Sequence, residues 1–139
     1  GEIQHHYRSV PEFEDRLIVS AVLKGEPGAV QDEIDTKLAA SHQKRRTTQP
    51  VGASAGCMFK NPEVCGAGQL IDELGLKGRS VGRARVSDVH GNFIVNTGNA
   101  TAKEVLDLVS EIQATAMEQR GVSLEMEVRL LGEKHPLPL

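Results

Sequence analysis

The strongest constraint in this chain is a helix whose two ends are both written into the residues. Thr101 and Glu104 stand at capping-box spacing, in which a threonine hydroxyl and a glutamate carboxylate each accept an otherwise orphaned backbone N–H. Val105, Leu108, Val109, Ile112 and Ala116 then recur along one face, and Gly121 supplies the stop. This predicts a helix over 102–120 with a single apolar stripe to be covered by the rest of the fold.

The other elements are shorter. Residues 16–23, RLIVSAVL, are rich in β-branched side chains and predict a strand. Pro27 opens a helical stretch running to about residue 42, with Val30, Ile34 and Leu38 at helical spacing. The polar run QKRRTTQP is expected to end it, and a Gly/Ala/Ser loop follows. Residues 67–74 predict a short helix with Leu70, Ile71 and Leu74 inward, ended by Gly75 and Gly78. Residues 83–86 and 93–96 predict strands separated by the turn-rich SDVHGN. The last strand is expected at 124–131, where Leu124, Met126, Val128 and Leu130 alternate with Glu125, Glu127 and Arg129. HPLPL then reads as a loose tail. The expected fold class is α+β, a small mixed sheet with helices packed on one face.

Composition narrows the function. A chain of 139 residues with 39% hydrophobic residues suits one soluble domain, and with one Tyr, three Phe and no Trp its core must be aliphatic. A net charge of −3 argues against sequence-independent nucleic-acid binding. No apolar run reaches the roughly 20 residues that span a bilayer, and no signal segment opens the chain. Two cysteines are too few for a disulfide framework or a zinc site, so Cys57 and Cys65 read as reduced thiols of a cytoplasmic protein.

The chemistry centres on SAGCMFKNP, residues 54–62, where Cys57 sits in a polar loop beside Lys60. A thiol there is a proton donor, or a nucleophile if a base such as His90 activates it. Glu127 is a second centre, although charges alternating on an outer strand face are usually solvated. Arg8, beside Tyr7, is a third, with an ordinary surface role as its plain reading. The Walker pattern is absent, which disfavours a nucleoside triphosphatase. KGRSVGRARVS, with four basic residues, reads equally as a diphosphate contact or a turn on a basic face.

Taken in order, YRS at 7–9, SAGCMFKNP at 54–62, AGQLIDELGLKGRSVGRARVSDVHGNFIVN at 67–96 and VSLEMEVRLLG at 122–132 resemble the UDP-N-acetylenolpyruvoylglucosamine reductase family. The resemblance covers nearly the whole chain and looks most like the class without an extra substrate-covering loop. It implies a flavoenzyme of peptidoglycan precursor synthesis using FAD and NADPH to reduce an enolpyruvyl UDP-sugar to UDP-N-acetylmuramate. It implies Cys57 as proton donor, where the family normally has serine, Arg8 as a clamp for the substrate carboxylate, and Glu127 as a group that polarises that carboxylate or tunes protonation. Tyr7, Asn61 and His90 match family substrate contacts, and Arg83 stands where a glycine is usual.

The family's glycine-rich flavin phosphate loop has no counterpart in these residues. The resemblance therefore implies residues 1–25 as the end of a FAD-binding domain, 26–123 as a substrate-binding domain and 124–139 as a final strand and tail. The implied partners are the UDP-sugar and a missing amino-terminal FAD domain, with no nucleic acid and no membrane. Two other readings stay open: a UDP-sugar-binding module without redox chemistry, and a thiol hydrolase or transferase using Cys57 and His90.

Overall fold

The structure, a computed structural model, describes residues 3–13, 16–25 and 27–130. It divides into two compact units, Gly1–Thr36 and Lys37–Leu139. The boundary falls inside α1 (Gln31–Thr48), and each unit is described by itself.

In the first unit, residues 16–25 take no regular secondary structure, contrary to the strand expected at 16–23. Leu17, Ile18, Val19, Val22 and Leu23 are all exposed. The physical reason is that β-branched residues favour a pleated surface only when a neighbouring strand completes the hydrogen-bond ladder. None of the described residues pairs with this segment.

Helix α1 begins at Gln31, four residues after Pro27, and runs through QKRRTT to Thr48, past the expected end near 42. Lys, Arg and Gln are good helix formers, so polarity alone does not stop a helix. The stop is set by Pro50, which disfavours helical geometry in the residue before it. No residue of α1 is buried, and Val30, just before it, is exposed as Ile34 and Leu38 are.

The second unit holds the core. Strands β1 (Ser54–Cys57), β2 (Ser80–Val81), β3 (Ala84–Val86) and β4 (Phe93–Asn96) form a sheet in the order β1-β4-β3-β2, every pairing antiparallel. Helix α2 (Ala67–Glu73) is followed by Leu74 and by Gly75 at φ 70°, as its residues predict. Helix α3 (Ala102–Arg120) has both halves of the capping box and closes on Gly121 in the left-handed conformation. It packs on β2 and β3 and touches α2. Leu108, Val109, Ile112 and Ala116 meet Ala84, Val86, Ile94, Leu70, Ile71, Met58 and Phe59 in one aliphatic-rich core. The chain adopts the expected α+β class, but the sheet expected to be mixed is antiparallel throughout the described strands, since each is joined to its neighbours without a parallel crossover.

The hairpin between β2 and β3 turns on Gly82 and Arg83. Gly82 takes φ 55° while Arg83 has no positive φ, the glycine-first pattern of a II′ turn. An arginine is therefore accommodated at the second position of this turn. A Cβ on Gly82 would stand 1.8 Å from the Glu104 carboxylate, so a side chain there would push Glu104 out of its capping position.

The segment expected as the final strand is only partly regular. Phe59 and Met126 form an isolated antiparallel bridge, and Leu124 is buried while Glu125 is exposed, but the ladder extends no further among the described residues. Leu131 and the tail at 132–139 lie outside the described residues.

Candidate functional site

Cys57 ends β1, and the way β1 is built aims it. Ser54 pairs with Val95 and Cys57 with Phe93, so β1 spends one more residue than β4 between those two pairs. That extra residue is a bulge, a device that bends a strand and redirects the side chain after it. Gly56 carries φ 84°, which a side chain would make costly. This is the physical content of SAGC: small residues and a glycine let the strand kink just before the thiol. Cys57 is half-buried, and neither it nor Cys65 is in a disulfide.

Directly after the thiol the backbone goes into the core. Met58 and Phe59 are both buried, at 2% and 1% exposure, which leaves their peptide groups no water to bond. On one side, Asn92 accepts the Met58 N–H with its carbonyl at 2.8 Å. Its side-chain oxygen accepts the Phe59 N–H and its side-chain amide donates to the Phe59 carbonyl, both at 2.8 Å. On the other side, Glu127 donates its N–H to the Met58 carbonyl at 2.9 Å, and Lys60 donates its N–H to the Glu125 carbonyl at 2.8 Å. A Lys60–Glu125 ion pair closes the same edge. Every backbone donor and acceptor of Met58 and Phe59 thus has a partner.

Glu127 is in this way placed beside the residue that follows Cys57, and it is half-buried. His90 belongs to the same corner. Its ring packs edge-on against Phe93, the strand partner of Cys57, with centroids 5.0 Å apart. His90 Nδ1 accepts the Asn92 N–H at 3.1 Å, so a neutral ring carries its proton on Nε2. A histidine so committed is poorly set as a base toward a thiol, which weighs against the hydrolase reading. The ring lies on Gly68 of α2, where a Cβ would stand 2.6 Å from His90 Cε1.

Asn61 has a structural task as well as a candidate role. Its side-chain oxygen accepts the Ala67 N–H at 3.0 Å, satisfying one of the orphan donors at the start of α2. The residue remains exposed.

Tyr7 and Arg8 lie in the first unit, at the tip of a tight turn closed by hydrogen bonds between His6 and Ser9 of 2.8 and 3.2 Å. Arg8 takes φ 58°, unusual for a residue with a side chain, and stacks its guanidinium 5.5 Å from the Tyr7 ring centroid. Both residues are exposed. Within the second unit the structure gathers Cys57, Glu127 and His90 around one stretch of backbone, with Asn61 a few residues on. Sequence reading missed Asn92, which carries no signal beyond being a polar residue in a turn.

The basic run 77–85 reads differently once its partners are seen. Lys77 pairs with Asp72 at 2.5 Å, Arg79 with Glu111 at 2.6 Å and Arg85 with Asp88 at 2.9 Å. Arg83 contributes to holding the Glu104 carboxyl below the usual carboxylate range, behind the larger effect of the Thr101 backbone hydrogen bond. These three cations are each met by a carboxylate from outside the run, which favours the turn over a diphosphate contact. Among the described residues no group of His, Cys, Asp and Glu is arranged to hold a metal ion, and no helix is long and apolar enough to cross a membrane.

Comparison with known proteins gives this geometry its context. The family described as UDP-N-acetylenolpyruvoylglucosamine reductase, C-terminal domain, matches residues 47–131. A UDP-N-acetylenolpyruvoylglucosamine reductase from Synechococcus elongatus is 41% identical over 134 residues, 95% of this chain and 44% of the relative. One from Bacillus licheniformis is 48% identical over 105 residues, 75% of this chain and 57% of the relative. The crystal structure of UDP-N-acetylenolpyruvylglucosamine reductase from Thermus caldophilus is matched with a TM-score of 0.58 at 49% identity, over 69% of this chain and 34% of that one. The chain therefore spans about a third to somewhat over half the length of these relatives. It belongs to the UDP-N-acetylenolpyruvoylglucosamine reductase family, and it carries that family's C-terminal domain.

Proposed function

We propose that this chain supplies the substrate-binding domain and the proton donor of an enzyme that reduces UDP-N-acetylglucosamine enolpyruvate to UDP-N-acetylmuramate with FAD and NADPH, in the cytoplasm. The observation that carries this reading is the bulged end of β1, which sets Cys57 next to the backbone that binds Glu127, in a chain of this family.

The flavin does not fit these residues alone. Lys77, Arg79 and Arg85, the basic groups nearest to a phosphate-binding pattern, are each engaged by a carboxylate. Binding FAD is accordingly assigned to a separate amino-terminal domain, to which residues 1–25 contribute. The exposed apolar side chains of Leu17, Ile18, Val19, Val22 and Leu23 are consistent with a segment that completes a sheet there. Residues 26–123 are assigned to the substrate domain and 124–139 to the segment that closes it. The isolated 139-residue chain is expected to retain no flavin and to be inactive.

The reaction needs four things from this chain: a proton, a clamp for the carboxylate, a group that polarises it or tunes protonation, and contacts to the rest of the substrate. Hydride addition to one alkene carbon leaves negative charge on its neighbour and on the attached carboxylate. Cys57 then breaks its S–H bond as the new C–H bond forms, and the thiolate regains a proton from water. A thiol releases a proton more readily than a serine hydroxyl, although it is a weaker hydrogen-bond donor. Arg8 holds the carboxylate by charge-assisted hydrogen bonds and offsets the enolate charge. Its positive φ and exposed position at a turn tip fit a side chain displayed for a ligand. Glu127 polarises the carboxylate or tunes the protonation of the site, and Tyr7, Asn61 and His90 contact the UDP-sugar.

The test is a protein extended to the length of the relatives and assayed with FAD, NADPH and the enolpyruvyl UDP-sugar. Oxidation of NADPH that depends on the UDP-sugar is expected. Binding of the UDP-sugar with no flavin and no turnover would favour the binding-module reading and overturn this one.

A further inference from the structure

We propose that Asn92 is a positioning residue for Cys57, acting through the backbone of Met58 and Phe59. Its catalytic consequence rests on the proposed function; its structural content does not.

The pairing of β1 with β4 ends at Cys57 and Phe93, and the residue just before Phe93 is Asn92. There the main chain of Asn92 takes the Met58 N–H, and its side chain takes both polar groups of Phe59. A side-chain amide carries the same donor and acceptor as a peptide unit. Asn92 therefore prolongs the sheet by one residue where the backbone has already turned away into SDVHGN. Asn92 is 3% exposed, so neither partner of this exchange has water as an alternative.

The clamp is itself held from two directions. Asn92 donates its own N–H to His90 Nδ1, and the turn is tied by Ser87, whose hydroxyl accepts the N–H groups of Val89 and His90 at 3.1 and 3.3 Å. Gly91 lets this turn lie on α2, since a Cβ there would stand 2.5 Å from the Gly68 carbonyl oxygen. On the far side, Glu127 supplies the one remaining bond, to the Met58 carbonyl, and Glu125 accepts the next N–H, from Lys60. The backbone after Cys57 is thus fixed between α2, through the 87–92 turn, and the Glu127 segment. Releasing Asn92 frees Cys57 to move relative to Glu127, while the packing of α3 on β2 and β3 stays in place.

The experiment uses the full chain and iodoacetamide, with Cys65 as internal reference and mass spectrometry to assign each thiol. Three forms are compared at neutral pH: the native chain, Asn92→Ala, and Gly68→Ala, which crowds His90 and so disturbs Asn92 without altering it. The far-ultraviolet spectrum confirms that each is folded. The proposal expects the Cys57:Cys65 rate ratio to rise about tenfold in Asn92→Ala, the size of a lost buried hydrogen-bond pair expressed as local opening, and by less in Gly68→Ala. A ratio within twofold of native, a fall, a rise shared equally by Cys65, or loss of the folded spectrum in both variants overturns a local positioning role (twofold being roughly the scatter expected of such rates).

In the flavin-loaded protein of full family length, Asn92→Ala should slow reduction of the UDP-sugar while leaving flavin reduction by NADPH unchanged. A native protein that does not turn over would defeat the proposed function, and the alkylation ratio alone would then decide whether Asn92 positions Cys57.

Discussion

Glu127 and Met58 are joined by a 2.9 Å backbone hydrogen bond, which places the half-buried carboxylate residue beside the neighbour of Cys57. The two candidate groups come from segments some seventy residues apart in the chain, roughly half its length. This bond ties the two segments from one side, and the Asn92 side chain holds the same stretch of backbone from the other.

The glycine before the thiol sets its direction. Gly56→Ala meets no atom within 4 Å, so its cost comes from φ 84° alone. A left-handed alanine should destabilise the domain by roughly 1–2 kcal/mol and displace Cys57. Urea unfolding measures the first effect, and a changed alkylation rate at Cys57 measures the second.

The start of α3 should register acid. Thr101 donates its backbone N–H to Glu104 at 2.7 Å and accepts the Glu104 N–H on its hydroxyl at 3.2 Å. Glu104 is thereby held below the usual carboxylate range, chiefly by the Thr101 backbone bond. A carboxylate with a lowered folded-state pKa stabilises the fold above its unfolded-state value and loses that contribution as pH falls through the folded-state value. Stability should therefore decline on acidification below the ordinary Glu range, and Glu104→Gln should flatten that decline. Thr101→Ala should cost about 1 kcal/mol at neutral pH, read from urea midpoints.

The core prediction is larger. Leu108 is fully buried between α3 and the sheet. Leu108→Ala should cost about 2–5 kcal/mol, enough to unfold a domain of ordinary stability in part. Thermal unfolding followed by circular dichroism checks it, with Met117→Ala, on the exposed side of the same helix, changing little.

A cysteine as proton donor brings a liability that serine lacks. Peroxide should inactivate the full-length enzyme through oxidation of Cys57, and Cys57→Ser should resist. Recovery of activity with dithiothreitol after brief exposure would mark the sulfenic stage of that oxidation.

Much of this fold was legible in the residues for identifiable reasons. The ends of α3 were readable because capping is local chemistry, fixed by Thr101, Glu104 and Gly121 alone. β3 and β4 were readable because their β-branched and apolar residues are also largely buried. Residues 16–23 misled because the same composition forms a strand only with a partner, and none is present among the described residues. β1 was missed because a strand built from Ser, Ala and Gly around a bulge has no apolar alternation to detect. Asn92 was missed because its importance lies in bonds to Phe59, a residue 33 positions away. Cys57 and Glu127 stood out as chemistry-bearing residues, but only the backbone pairing reveals that they are tied to one stretch of chain.

The central claim is that Cys57 donates the proton. The most direct measurement is a single turnover in which the full-length protein, with its flavin reduced beforehand under anaerobic conditions, is mixed with the enolpyruvyl UDP-sugar and flavin reoxidation is followed. Cys57→Ala should slow that step by roughly 10²–10⁴-fold, the usual worth of a general acid, while flavin reduction by NADPH is unchanged and Cys57→Ser retains substantial activity. Reoxidation at the native rate in Cys57→Ala would contradict the account.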